Sequence, residues 1–267
     1  MSDFSAEMDL AQRAARRAGE AILSFWREAQ SFEYKADDKG LVTRADRSAE
    51  HAILELLQRD SPHPVVSEES APRKRPDALC WVVDPLDGTS NFARRLPFFS
   101  TTLALVEGAQ IHIAVTYDPL RDLLYRARRG GGAFLGDERL VVSGIRDGRA
   151  GILFLNHGYG ASDRSRFARL TRLLSGVYDI RKLGSTALEL CHIAAGSAEA
   201  FLCSGDELWD FAAGLLLVSE AGGRVSDWHG RPWDQDTSRL FVSNGRVHED
   251  ILDRLRGTDL LSPEEEV

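Results

Sequence analysis

Apolar residues recur every three or four positions from Leu10 through Ala14, Ala18 and Ile22 to Phe25. This spacing predicts an amphipathic helix over residues 4–28, with an alanine-rich face suited to close packing. Ala49, Ile53, Leu56 and Leu57 repeat the pattern and predict a second helix, with Asp46 in its first turn, where a carboxylate complements the helix dipole. From residue 79 the texture changes to short apolar or alternating runs (LCWVVD, STTLALVE, QIHIAVTY, DLLYRAR) broken by turn residues, which predicts strands that are antiparallel in part. The GGG at 130–132 reads as turn and tight-packing material. Beyond residue 146, strands (ILFLN, YDIRKL, AEAFLC, RLFVS) alternate with helical stretches at 162–175, 186–195 and 209–221. The expected organisation is an α+β subdomain over 1–145 and an α/β subdomain over 146–267.

Composition narrows the class. With 267 residues, 43% hydrophobic and 28% charged, the chain is an ordinary globular one, able to bury roughly 70% of its extended surface. A net charge of −8 argues against nucleic acid or an anionic membrane as the main partner and favours cations. Three distant cysteines in apolar settings, Cys80, Cys191 and Cys203, read as buried thiols in a reducing compartment. With no apolar run of about 18 residues, a cytoplasmic protein is expected.

The strongest local signal is WVVDPLDGTSNF at 81–92. An apolar strand delivers Asp84 at its end, Pro85 is expected to stop the ladder, and Asp87-Gly88-Thr89 turns the chain with amides free to face an anion. The same segment also reads as an Asp-rich turn capping its own backbone. A haloacid-dehalogenase-type nucleophile is excluded, because the position two before Asp87 is Pro85. Further signals are SEES at 67–70, with adjacent Glu68 and Glu69, and ELWDFAAGLLLVSEAGG, a helix apolar nearly all round with Asp210 at its start. Taken singly, the first also reads as a polar loop and the second as an ordinary N-cap.

In order and together, these segments resemble the inositol monophosphatase family of metal-dependent, lithium-sensitive phosphatases over nearly the whole chain. The resemblance implies a layered αβαβα sandwich, two or three magnesium ions, and a homodimer. It implies metal ligands at Glu68, Asp84, the Leu86 carbonyl, Asp87 and Asp210, with the ions between the two subdomains. It further implies that Asp46 pairs with Thr89 to orient and help deprotonate the attacking water, with Glu68 beside the ion that activates it. Amides of Gly88 and Thr89 would hold the phosphate, and Lys35 falls where the family carries a mobile-loop lysine. Ser67 stands where the family usually has Gly. Hard divalent cations suit such a site because a phosphate dianion and clustered carboxylates repel one another.

RKLGSTALEL resembles the family's second-subdomain turn and places Gly184, Ser185 and Thr186 near the substrate's alcohol, with Asp87 and Asp210 also facing substrate. Inositol-handling members carry a Glu seven residues before the final Asp; here that position is Cys203, which weakens the assignment to inositol phosphate. Asp206 and Glu207 stand close enough to supply a carboxylate or to be surface residues. The expected activity is hydrolysis of a small phosphate monoester. Histidinol-phosphate, fructose-1,6-bisphosphate and 3′-phosphonucleotide hydrolysis stay open, as does a catalytically silent regulatory protein on this fold.

Overall fold

The computed structural model describes residues 4–28, 32–34, 41–70, 78–158, 160–234, 237 and 239–261. The chain opens with α1 (Ser5–Trp26), a hairpin of β1 (Phe32–Tyr34) and β2 (Leu41–Thr43), and α2 (Arg44–Asp60). There follow β3 (Val65–Ser67), β4 (Cys80–Asp87), α3 (Thr89–Ala93), β5 (Ser100–Glu107), β6 (Gln110–Asp118), β7 (Leu123–Arg128), β8 (Gly132–Leu135) and β9 (Glu138–Arg139). The remainder comprises β10 (Ile152–His157), α4 (Ala161–Leu174), β11 (Asp179–Arg181), α5 (Thr186–Ala194), β12 (Ala200–Ser204), α6 (Leu208–Glu220), β13 (Arg224–Asp227), β14 (Arg239–Ser243) and α7 (His248–Leu255).

Two sheets organise these elements. Strands β3 to β9 form a seven-stranded sheet in sequence order, antiparallel except for the β3/β4 pair. The five-stranded sheet has the order β11-β10-β12-β14-β13, with β10 parallel to both of its neighbours. Alternation along the strands sends Trp81, Val83, Leu103, Leu105, Ile113 and Val115 to the face covered by α1 and α2. Cys80, Val82, Ala104, Val106 and Ala114 point the other way, onto α5 and α6, which in turn pack on Phe154, Phe201 and Val242 of the second sheet. The far face of that sheet meets α4 and α7. The result is five layers, αβαβα, as the resemblance implies.

Helix α6 lies between the sheets, which explains why Leu208, Phe211–Ala213 and Leu215–Val218 are all buried. Gly214 is required by its contact with α5, since a Cβ there would stand 2.3 Å from Leu190 Cδ1. The far end of α6 is also held: the amides of Gly130 and Gly132 donate to the two Glu220 carboxylate oxygens at 2.7 and 2.8 Å, so the GGG turn grips the helix. All three cysteines are free and buried, and no described helix is long and apolar enough to cross a membrane.

Two readings of the sequence are corrected here. Pro85 does not end its strand: β4 runs on to Asp87, with a register shift between Asp84 and Asp87 that absorbs a residue unable to donate to the ladder. Asp210 is not an N-cap but the third residue of α6, in a reciprocal capping box with Glu207. The polar stretch after α1 is bracketed by the β1/β2 hairpin, and residues 35–40, Lys35 among them, lie outside the described residues.

One buried histidine makes a test of the second core. His248 stacks on Phe241 at 4.0 Å, with Ser226 Oγ 2.9 Å from Nε2 and Ser243 Oγ 2.8 Å from Nδ1. Burial pushes its pKa down to about 4. An unfolded His titrates near 6.5, so between these values only the unfolded chain takes up the proton, and stability falls as pH falls. Relative to His248→Gln, the wild-type protein should lose about 2 kcal/mol of unfolding free energy between about pH 7 and about pH 5. Urea titrations of both proteins check this, and a pH-independent difference would refute it.

Candidate active site

The carboxylates predicted from sequence come together at one end of the seven-stranded sheet. Parallel pairing of β3 with β4 sets Ser67 opposite Val83, and the Glu68 amide donates to the Val83 carbonyl at 3.1 Å, which lodges Glu68 beside Asp84. The shifted register at the end of β4 lets the Leu86 amide donate to Asp84 Oδ1 at 2.9 Å. Gly88 then takes φ +89°, a left-handed conformation, where a Cβ would stand 3.0 Å from the Phe98 carbonyl oxygen. This tight turn starts α3 and presents Thr89.

Thr89 is joined to α2. Its hydroxyl lies 2.8 Å from Asp46 Oδ1 and 3.0 Å from the Leu86 carbonyl oxygen. The other Asp46 oxygen accepts from the Thr43 amide (2.7 Å) and hydroxyl (2.5 Å) in a capping box, so Asp46 serves the helix and the site at once. Burial raises the Asp46 pKa to about 6 against the pull of these hydrogen bonds.

The starts of α5 and α6 supply the facing wall. Asp87 Oδ2 accepts from the Ser185 hydroxyl at 2.5 Å and the Ala187 amide at 2.8 Å, at the start of α5. Asp210 Oδ2 accepts from the Glu207 amide at 2.7 Å. Thr186 donates to Asp206 Oδ2 at 2.8 Å. Of the three residues expected near the alcohol, Ser185 is thus spent on Asp87 and Thr186 on Asp206. Among the described candidates, Glu68, Asp84, Asp87 and Asp210 form one electrostatic cluster, with Asp46 and Thr89 beside it.

Burial and then repulsion from Glu68, Asp87 and Asp210 hold the Asp84 carboxyl well above its ordinary range. Asp210 is raised in the same way by burial, Asp206 and Glu68. Burial lifts Asp87 to about 7 despite its two donors. Among the described residues no three acidic, imidazole or thiol groups stand in a ready ligating arrangement; Asp84 and Glu68 hydrogen-bond to each other. The chemistry of the donor set nevertheless fits a hard cation, since every donor is oxygen and each neighbouring charge named for Asp84 is repulsive.

Two residues carry roles that sequence reading missed. Asn91 Nδ2 donates to the carbonyls of Phe98 and Leu183, both at 2.7 Å, tying α3 to the turn before α5. Glu189, fully buried, accepts from the Leu183 amide (2.7 Å), the Gly184 amide (3.2 Å) and Asn156 Nδ2 (2.6 Å), and burial lifts its pKa to about 8. An acid within the apolar run ALELCHIA was the available signal.

A sequence profile of the inositol monophosphatase family matches residues 5–258. The chain belongs to that family. Escherichia coli K12 Nus factor SuhB is 38% identical over 256 residues, covering 93% of this chain and 95% of that protein. Synechocystis inositol-1-monophosphatase is 34% identical over 264 residues, with 96% and 91% covered. The crystal structure of extragenic suppressor protein SuhB from Bartonella henselae superposes with a TM-score of 0.86 at 31% identity, covering 94% of this chain and 99% of that one. For this inositol monophosphatase family member the matches support a phosphatase-type hydrolase.

Proposed function

We propose that the chain is a magnesium-dependent phosphomonoesterase acting on a small polyol, sugar or related metabolite. The observation that carries this reading is the Thr89–Asp46 hydrogen bond beside the Glu68, Asp84, Asp87 and Asp210 cluster. Glu68, Asp84, the Leu86 carbonyl, Asp87 and Asp210 would hold the ions. Magnesium, when bound, supplies the positive charge that phosphate and carboxylates need and acidifies water near neutral pH.

The protein's own part is orientation. Thr89 has a single hydroxyl proton; directed at Asp46, it leaves the oxygen lone pairs to accept from a water. Amides of Gly88 and Thr89, at the start of α3, would hold phosphate oxygens.

Phosphate release from a panel of monoesters should require magnesium and vanish on chelation, and lithium at fixed magnesium should inhibit uncompetitively. Magnesium should also raise the melting temperature by several degrees, because the ion binds only the folded cluster. Release unaffected by chelation would overturn the proposal. Relatives named Nus factor SuhB favour a second role, as a Nus factor, which a folded but inactive variant would separate from hydrolysis.

A further inference from the structure

Strands β10, β11 and β12 run parallel, and in such sheets ligands bind beyond the carboxyl ends. Beyond those ends lie Lys182 and Asp206, with Asn156 the penultimate residue of β10. We propose that Asp206 and Lys182 select the alcohol half of the substrate, a hydroxyl near the ester donating to Asp206 and accepting from Lys182. This rests on the phosphatase reading above and assigns its specificity.

Consecutive residues connect Asp206 to the reacting end. Ser185 donates to Asp87 and Thr186 to Asp206, so the two carboxylates flank the first turn of α5. Thr186 Oγ1 also accepts from Asn156 Nδ2 at 2.9 Å. The second Asn156 amide contact goes to Glu189, and its carbonyl oxygen, on a residue only 6% exposed, is left without a hydrogen-bond partner. A buried acceptor lacking a donor beside a carboxylate is suited to a ligand that brings hydroxyl protons.

The pair is held in place from behind. Ser204 Oγ donates to Asp163 Oδ1 at 2.6 Å, and Gly205 (φ +89°) packs so close to Asp163 that a Cβ would lie 2.6 Å from its Oδ2. This fixes the loop that delivers Asp206. Lys182 sits over the Phe167 ring, its nitrogen 5.1 Å from the centroid and in the field of Asp206 and Glu189. An acceptor and a donor within each other's field suit a hydroxyl that serves both, whereas an added negative charge on the alcohol would meet Asp206 and Asp163. Cys203 donates its thiol to Asp206, so the carboxylate missing at Cys203 arrives from three residues later. Glu207 is occupied as the cap of α6.

Calorimetric binding to the magnesium-loaded full chain carrying Thr89→Ala, in which hydrolysis is slowed, reads this apart from turnover. Asp206→Asn should weaken inositol 1-phosphate at least about tenfold while leaving inorganic phosphate within about twofold. Lys182→Met, an exposed change, should show the same split more weakly, and Asp206→Glu should restore part of the loss. Equal losses for both ligands, or no loss for either, would overturn the assignment. If the wild-type chain binds both ligands as expected but releases no phosphate, the phosphatase reading falls and the binding assignment stands.

Discussion

Asp84→Asn should give a folded protein that has lost turnover by a factor on the order of 10³ or more at saturating magnesium. Asp84 is 1% exposed and lies in the fields of Glu68, Asp87 and Asp210, so its charge is set against all three other carboxylates of the cluster. An amide keeps its shape and can still accept from the Leu86 amide, which donates to Asp84 Oδ1. The charge that attracts cations is gone. Stability should move the other way in the metal-free protein. Burial and repulsion both disfavour the Asp84 charge, so removing it should leave the metal-free melting temperature unchanged or higher, while the increment added by magnesium shrinks. Steady-state assays and thermal melts with and without magnesium check both halves. Near-normal activity in a folded Asp84→Asn protein would sink the assignment of this cluster.

How much of this was legible in sequence depends on the range over which each residue acts. The α1 and α2 periodicities, the apolar strand before Asp84 and the all-apolar α6 are local patterns, and each maps to the element it predicted. The short strands were harder. β3 has three residues and owes its existence to parallel pairing with β4, and β13 likewise depends on β14. Pro85 misled because its effect is set by the partner strand, where a register shift accommodates it. Of the site, Asp46, Asp84, Asp87 and Asp210 were read from motif order. The Asp46–Thr89 pair was implied by the resemblance, but the Ser185 donor to Asp87 was not, because it reaches across 98 positions, as Asn91 reaches Leu183 across 92. Glu189 and Asn156 stayed hidden for the same reason: their roles exist only once α5 packs behind β10.

Thr89→Ala should reduce kcat by on the order of 10² to 10⁴ while changing magnesium affinity and KM little. The hydroxyl of Thr89 is 2.8 Å from Asp46 Oδ1, and the backbone carbonyl of Leu86, an expected ligand, is a separate atom that the substitution leaves in place. Alanine removes the oxygen that would accept the water's proton and leaves Asp46 Oδ1 without that donor. Asp46 keeps the two hydrogen bonds from Thr43, so α2 retains its cap and the fold survives. Thr89→Ser restores an oxygen at the same distance along the side chain and should recover most of the rate, which separates proton handling from packing of the methyl group. Asp46→Asn offers the complementary lesion. With its oxygen kept toward Thr89 its NH2 meets the Thr43 amide, itself a donor, and with the oxygen turned to that cap the NH2 faces Thr89. In either pose the pull on the Thr89 proton is weakened, so kcat should fall with Thr89 in place. A combined Asp46→Asn, Thr89→Ala protein should then be hardly slower than Thr89→Ala alone, because both changes cut one relay. Losses that multiply in the double variant would mean that the two residues act independently.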